Sequence, residues 1–297
     1  MHRHHNCDLS HRILLTTDSA AIGSTVYDMQ EDFRMSKALK ILITGAARGI
    51  GMETAQVLAK RGHSVVATDI SALSGLEGIQ AHVLDVTSDD SVARCLKEVG
   101  PLDAIVNNAG IFGGGPVEDY PLDRFRQMFE TNTLGALRII QAVLPAWRKR
   151  GSGVIVNVSS VNGRVSSPLG AAYSASKFAL EALTESLHLE VRHFGIRSVL
   201  IEPGNIATGI KSIEPHKGPD DYAGLLEQWA GAHTKMTGPS LPGPEVVGLA
   251  IASAIEDPAT PLRVPVGQDA EMILGLRRSL DDQAFEDAMR KAIGLTW

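Results

Sequence analysis

With 297 residues, 44% of them hydrophobic, the chain can bury a full core, and it lies at the upper end of what one α/β domain needs. A formal charge of −6 argues against a nucleic-acid partner, which demands a basic face, and Pro, Gly or charged residues interrupt every apolar stretch before it reaches transmembrane length. The two cysteines, Cys7 and Cys95, are too few for a disulfide framework and suit a reducing compartment, the cytoplasm.

Residues 1–36 mix His, Asp, Ser and Thr without sustained periodicity, the composition of a disordered extension. The patch Ile13-Leu14-Leu15 is too short for a signal-peptide core, and the acids after it do not suit a mitochondrial presequence. His2, His4, His5 and Cys7 have ligand chemistry but no fold to hold a metal, so no metal site is expected. Met35 stands just before the first regular element, and the working protein is expected to start there.

Leu39 to Thr44 reads as a buried strand, Thr44-Gly45-Ala46-Ala47-Arg48-Gly49-Ile50-Gly51 as a turn, and Gly51 to Arg61 as an amphipathic helix. That order is the context of a nucleotide site. Gly45 permits the tight turn, Gly49 lets the backbone approach a pyrophosphate, and Gly51 allows close helix packing, while the helix amino terminus supplies donors to phosphate oxygens. Ser64 to Asp69 is a second strand, ending in an acid eighteen residues beyond Gly51, a spacing that suits an acceptor for ribose hydroxyls.

His82 to Asp85 reads as a third strand, with Thr87 and Ser88 offering a helix cap, and Leu102 to Asn107 as a fourth. Asn108-Ala109-Gly110 turns the chain without bulk, and Gly113-Gly114-Gly115-Pro116 marks a mobile loop. Leu122 to Lys149 supplies a long helix in which Asn132 is awkward, because its amide competes for backbone bonds. Val154 to Val158 is a buried strand with Ser160 at its carboxyl end.

On the helix expected from Ala171 to Phe194, Tyr173 and Lys177 lie four positions apart and share a face. A free phenol titrates at about 10, and a fixed ammonium beside it is the simplest way to make it a base near neutral pH. Ile196 to Ile201 makes a sixth strand, followed at once by the turn Pro203-Gly204-Asn205-Ile206-Ala207-Thr208. Gly209 to Pro244 is rich in Gly and Pro yet carries Tyr222, Leu225, Leu226 and Trp229 at near-helical spacing, and reads as a lid. A helix from Glu245 to Ile255, a last strand from Leu262 to Val266, and terminal helices from Asp269 to Leu280 and Asp281 to Ile293 complete the chain. The alternation predicts a doubly wound α/β fold of about seven mostly parallel strands in one domain over residues 37–297, with a lid at 209–244 and a helical tail at 269–293.

Taken in order, the glycine turn, Asn107-Asn108-Ala109-Gly110, Asn132, and Ser160 with Tyr173-Ser174-Ala175-Ser176-Lys177 resemble the classical short-chain dehydrogenase/reductase family over about Ala38 to Val266. Lys177-Phe178-Ala179-Leu180-Glu181, Phe194-Gly195 and the long tail resemble its 17β-hydroxysteroid and retinol dehydrogenase branch. The resemblance implies a Rossmann-type sheet and an oxidoreductase that interconverts an alcohol and a ketone or aldehyde with NAD or NADP. It implies that Tyr173 exchanges a proton with the substrate oxygen, Ser160 hydrogen-bonds that oxygen, Lys177 lowers the phenol's pKa and holds the ribose, and Asn132 kinks its helix and keeps a relay water. It implies cofactor contacts from Gly45, Arg48, Gly49, Ile50 and Gly51, from Asp69 at the ribose, and from Asp85 and Val86 at the adenine. Asn108, Ala109 and Gly110, with Gly204, Ile206 and Thr208 at the nicotinamide carboxamide, complete that set, and no metal is needed.

Asp69 should repel the extra phosphate of NADP, whereas Arg48 could supply a counter-charge. The acid is fixed at a strand end and the arginine can swing into water, so NAD is the expected cofactor, with NADP possible. The apolar lid suits a bulky lipophilic alcohol or ketone as substrate, and the family resemblance implies a homodimer or homotetramer. Two other classes stay open. A cofactor-binding sensor or scaffold would not need the intact Asn132, Ser160, Tyr173 and Lys177, and an epimerase or dehydratase of this fold usually has a differently spaced glycine turn.

Overall fold

The computed structural model of the chain describes residues 38–237 and 241–297. The extension expected over residues 1–36, with His2, His4, His5 and Cys7, lies outside the described residues. The strands are β1 (Lys40–Thr44), β2 (Ser64–Asp69), β3 (Gln80–Val83), β4 (Ala104–Asn107), β5 (Ile111–Phe112), β6 (Gly153–Val158), β7 (Ile196–Pro203), β8 (Lys211–Ser212) and β9 (Arg263–Val266). Among the described residues, seven of them form one parallel sheet in the order β3-β2-β1-β4-β6-β7-β9. The order reverses between β1 and β4, which opens a crevice at their carboxyl ends. The remaining two, β5 and β8, pair with each other outside the main sheet.

Both faces of the sheet are covered, which explains why its central strands read as unbroken apolar runs. Ile41 and Ile43 of β1 pack to one side with Val65, Val106 and Val156, under the helices α1 (Gly49–Lys60) and α7 (Glu245–Glu256). Leu42 of the same strand packs to the other side with Val66, Ile105 and Ile155. There it meets the helices α2 (Asp89–Val99), α4 (Gly135–Arg150) and α5 (Ala171–Val191). A ladder of buried amides fixes the register of α5 on the sheet: Asn107 donates to Asn157, and Asn157 donates to Thr184, each at 2.8 Å. The helices α3 (Leu122–Phe129), α6 (Ala223–Thr237), α8 (Gln268–Ser279) and α9 (Asp282–Ile293) lie around the carboxyl-end crevice or its approaches. Among the described residues no helix is long and apolar enough to cross a membrane.

Four expectations need correction. The third strand ends at Val83, so Asp85 lies in the following loop, where its carboxylate accepts from the Thr87 amide and hydroxyl instead of extending the sheet. The fourth strand begins at Ala104, and the Asp103 side chain before it accepts from the Lys40 amide at the amino end of β1. The helix expected from Leu122 to Lys149 is not α-helical throughout: it carries a π-helical segment, Glu130–Leu134, centred on Asn132, the interruption that the family resemblance implies at that residue. The triple glycine is no loose loop. A Cβ on Gly113, Gly114 or Gly115 would come within 2.8, 2.6 and 2.7 Å of Met128, Leu169 and His216, so these glycines let the chain thread between packed neighbours.

Candidate active site

The crevice holds an open cavity of about 1410 Å³, lined from Asp69, Asp85 and Val86 at one end to Ser160, Tyr173 and the tail helices at the other. The glycine turn forms its floor. Gly45 and Gly49 have φ of +67° and +56°, a region that side chains disfavour. A Cβ on Gly51 would lie 2.2 Å from the Gly45 carbonyl oxygen, so only glycine lets α1 start this close to β1. Two side chains hold the turn from behind. Thr44 Oγ1 accepts from the amides of Asn108 and Ala109, and Asn108 Nδ2 donates to the carbonyls of Thr44 and Gly45. Asn108 thus braces the turn with its side chain, and the wall beside the cavity is left to backbone, Ala109 and Gly110.

Asp69 ends β2 with its carboxylate aimed at this turn: Oδ2 accepts from the Ala47 amide at 3.1 Å and Oδ1 from the Ser71 amide at 2.9 Å. Arg48 precedes the first turn of α1, is exposed, and makes no ion pair among the described residues. Val86 is buried against Gly135, and its carbonyl accepts from Arg138 at 3.3 Å. Ile50 and Ile206 line the cavity while packing on the core.

Ser160 stands two residues past the end of β6 and opens a short 3₁₀ turn, Val161–Gly163, its hydroxyl accepting from the Asn162 amide at 3.1 Å. Its hydroxyl is also hydrogen-bonded to the Tyr173 phenol. Lys177 lies one helical turn on, with Nζ 5.8 Å from the centre of the Tyr173 ring and donating to the Val158 carbonyl at 2.8 Å. All three therefore meet at the end of β6. Asn132 is close by but differently employed. Its Oδ1 accepts from the Ile111 amide, and its Nδ2 donates to the Ile111 carbonyl and to Ser176 Oγ, all within 3.0 Å. The side chain clamps β5 to the residue preceding Lys177, and Thr133 adds a bond to the Ser176 carbonyl.

Burial governs the titrations here, and it revises one expectation. The phenol of Tyr173 is pushed up to about 12 by desolvation, with the Ser160 hydrogen bond pulling the other way. Lys177 is brought down to about 8, again by desolvation, opposed by the carboxylate of Glu181. The ammonium therefore does not bring the phenol below its ordinary value in this cavity: both groups are cut off from water, which disfavours each one's charged form.

The Pro203–Thr208 turn closes the site over the end of β7, and its anchor is a residue with no local signal in the sequence. Asp269, at the start of α8, accepts from the Asn205 amide at 2.7 Å and from Asn205 Nδ2 at 2.9 Å, while a Cβ on Gly204 would strike the same carboxylate. Thr208 Oγ1 accepts from the Ile210 amide, and its carbonyl stands where a Cβ on Gly49 would be, 2.4 Å away. The apolar wall is likewise built differently than the lid's spacing suggests. Leu226 and Trp229 of α6 line the cavity, but Tyr222 does not; its hydroxyl is hydrogen-bonded to Glu118. Phe285, Met289 and Ile293 of α9 take its place.

The glycine cradle, the acid at the end of β2 and the length of the cavity fit a dinucleotide laid across the carboxyl ends of the strands. Residues 39–217 match the model of the short chain dehydrogenase family. The chain is 33% identical over 268 residues to 3-ketodihydrosphingosine reductase of Bacteroides thetaiotaomicron, covering 84% of this chain and 96% of that one. It is 41% identical over 183 residues to retinol dehydrogenase 8 of Homo sapiens, covering 57% and 59%. A solved short chain dehydrogenase from Burkholderia cenocepacia, in complex with NADP, superposes with a TM-score of 0.70 at 26% identity, covering 85% of this chain and 97% of that one. The chain belongs to the short-chain dehydrogenase family of oxidoreductases, and retinol dehydrogenases are among its relatives.

Proposed function

We propose that the protein is a nicotinamide-dependent alcohol dehydrogenase or carbonyl reductase acting on a bulky lipophilic alcohol or ketone. The observation that carries this reading is the meeting of Ser160, Tyr173 and Lys177 at one end of a cavity whose other end is the glycine turn and Asp69. The cofactor, when bound, supplies or accepts the hydride. Tyr173 donates its phenolic proton to the substrate oxygen in reduction and recovers it in oxidation. Ser160 hydrogen-bonds the same oxygen, Lys177 holds the ribose, and Asn132 keeps the π-helical kink and Lys177's neighbour in place. A phenol raised to about 12 is protonated at neutral pH, the form that donates a proton in reduction.

The substrate class rests on the walls. Leu226, Trp229, Phe285 and Met289 enclose the approach to Tyr173, and relatives carry names that specify retinol and 3-ketodihydrosphingosine. Turnover of nicotinamide, followed by absorbance with a panel of long-chain ketones, retinoids, steroids, aryl ketones and sugars, tests it; a clear preference for sugars would overturn the apolar assignment.

NAD is the proposed cofactor and NADP the alternative. The Asp69 carboxylate is fixed by two backbone amides where the ribose would lie, and a phosphate there would face it without a fixed counter-ion, since Arg48 is exposed and free to swing away. A tenfold preference needs only about 1.4 kcal/mol. Asp69→Ala is expected to shift the ratio of kcat/KM for NAD and NADP towards NADP by about that factor, with Arg48 then pairing with the phosphate. A wild-type preference for NADP would reverse the weighting of the two residues.

A further inference from the structure

Behind the Ser160 turn two buried carboxylates and the arginines that pair with them form a cluster that the chemistry above leaves unused. Glu181, on α5 one helical turn beyond Lys177, is 4% exposed, and Glu202, on β7 just before Pro203, is 1% exposed. Arg263, the first residue of β9, donates from Nε to Glu181 Oε2 at 2.9 Å and from Nη2 to Glu185 at 2.7 Å, and lies 3.7 Å from Glu202 Oε1. Arg164, which ends the 3₁₀ turn after Ser160, reaches Glu202 at 3.5 Å. Each member thus sits on a different piece of the site: the Tyr173 helix, the Ser160 turn, the strand leading into the Pro203–Thr208 turn, and the strand leading into α8. Buried ions tolerate separation from their partners poorly, so these pieces are held in one relative arrangement.

The pairing is incomplete in a telling place. Glu181 Oε1 and Ser159 Oγ are buried with no hydrogen-bond partner among the described residues. Both border the space a Cβ on Gly163 would fill, at 3.3 and 2.6 Å. A carboxylate oxygen without a donor, in surroundings poor in water, projects a field that little screens. The cation one turn back on the same helix is Lys177, which donates to the neutral Val158 carbonyl.

We propose that Glu181 is a positioning residue for the reaction: its buried carboxylate, oriented by Arg263, keeps the Lys177 ammonium charged inside the cavity, with Glu202 a second buried carboxylate behind it. This rests on the oxidoreductase reading of the site. Facing Glu181 are Lys177 from its own helix, Arg263 from β9 and Glu202 from β7; facing Glu202 are Glu181, Arg164 and Arg263. Burial, then repulsion by Glu181, raises Glu202 to about 7 against the pull of the two arginines. It therefore ionises below the value of about 8 to which Lys177 is brought.

Glu181→Gln keeps the side chain's shape and removes its charge, while Glu181→Asp keeps the charge. For each variant two readouts are compared: the alkaline limb of kcat for ketone reduction, and the titration of Lys177 Nζ by NMR of isotope-labelled lysine in the cofactor-free protein. Charges one helical turn apart are expected to differ enough to lower the Lys177 midpoint by about one pH unit in Glu181→Gln, with Glu181→Asp close to wild type. Unmoved midpoints in Glu181→Gln would overturn the proposal even if its Tm fell, because lost packing lowers Tm without moving a titration. Should that variant fail to fold, Glu202→Gln reads the same field: a smaller downward shift supports the proposal and no shift overturns it. A wild-type protein without alcohol or ketone turnover would overturn the reading of the site, while the NMR titration would still decide the part played by Glu181.

Discussion

At the scale of single residues, the environment of Tyr173 decides what the site can do. Its phenol is buried against the edge of Phe112, with ring centres 5.1 Å apart, and hydrogen-bonded to Ser160, so it is both oriented and kept protonated. Removing only the hydroxyl isolates the proton transfer from everything else. Tyr173→Phe is expected to lower single-turnover ketone reduction by at least about a thousandfold, near the upper part of the range that a positioned general acid supplies. Cofactor affinity, measured by fluorescence titration, should stay near the wild-type value. Near-normal chemistry in that variant would remove Tyr173 from its role. Strain is also stored close by: Leu169 has φ of +61°, an unusual value for a branched residue. The conformation is held because the Leu169 carbonyl accepts from the Gly115 amide at 2.8 Å, tying the approach to α5 against the glycine passage.

At the scale of elements, the site is assembled by segments distant in sequence. The π-helical segment at Asn132 grips Ser176, the β5–β8 ribbon carries Phe112 up to Tyr173, and α8 reaches back to hold the turn after β7. This last link makes a sharp prediction. Asp269→Ala removes the acceptor of two hydrogen bonds from Asn205, and a charged acceptor in such bonds is worth about 1.5 to 3 kcal/mol. The Pro203–Thr208 turn should loosen, and the Kd for NAD measured by titration should rise about tenfold, or about 1.4 kcal/mol, with a smaller change in Tm. An unchanged Kd would show that the turn is set by β7 and Pro203 alone. The tail is tied to α6 as well: Gln228 accepts from the amides of Thr296 and Trp297, and the Trp297 ring lies against Gly224. The two apolar walls of the cavity are therefore fastened together.

At the scale of the whole molecule, the buried charges give the fold a pH dependence of its own. Glu202 titrates at about 7 in the folded chain and near 4.3 when unfolded, so between those values the folded state binds the extra proton. Its contribution to stability is fully present below the unfolded value and is lost as pH rises through about 7. Lys177 works in the opposite sense at higher pH. Its folded value of about 8 lies below the unfolded one, so stability recovers as pH rises above about 8 towards 10. Glu202→Gln should flatten the fall in Tm between about pH 5 and 7, read as the difference between variant and wild type across that range. Parallel curves for the two proteins would mean that Arg164 and Arg263 hold Glu202 ionised in the fold.

The sequence by itself determined the architecture and the inner part of the site, because both are written in local terms. Strands buried on both faces must be apolar throughout, a nucleotide turn must have glycines where φ is positive or helix and strand touch, and a helix brings positions four apart to one face. Thus Leu39 to Thr44, Gly45 to Gly51 and the Tyr173/Lys177 pair could be placed from the chain alone. The tertiary structure decided whatever depends on partners with no fixed spacing. Asp269 meets Asn205 across sixty-four residues, and Arg263 meets Glu181 across eighty-two. Tyr222 shares the spacing of Leu226 and Trp229 yet turns to Glu118, leaving the cavity wall to α9. The direction of the Tyr173 titration belongs to the same class: spacing puts a cation beside the phenol, but only the packing around both determines how much water remains, and desolvation outweighs the neighbouring charge.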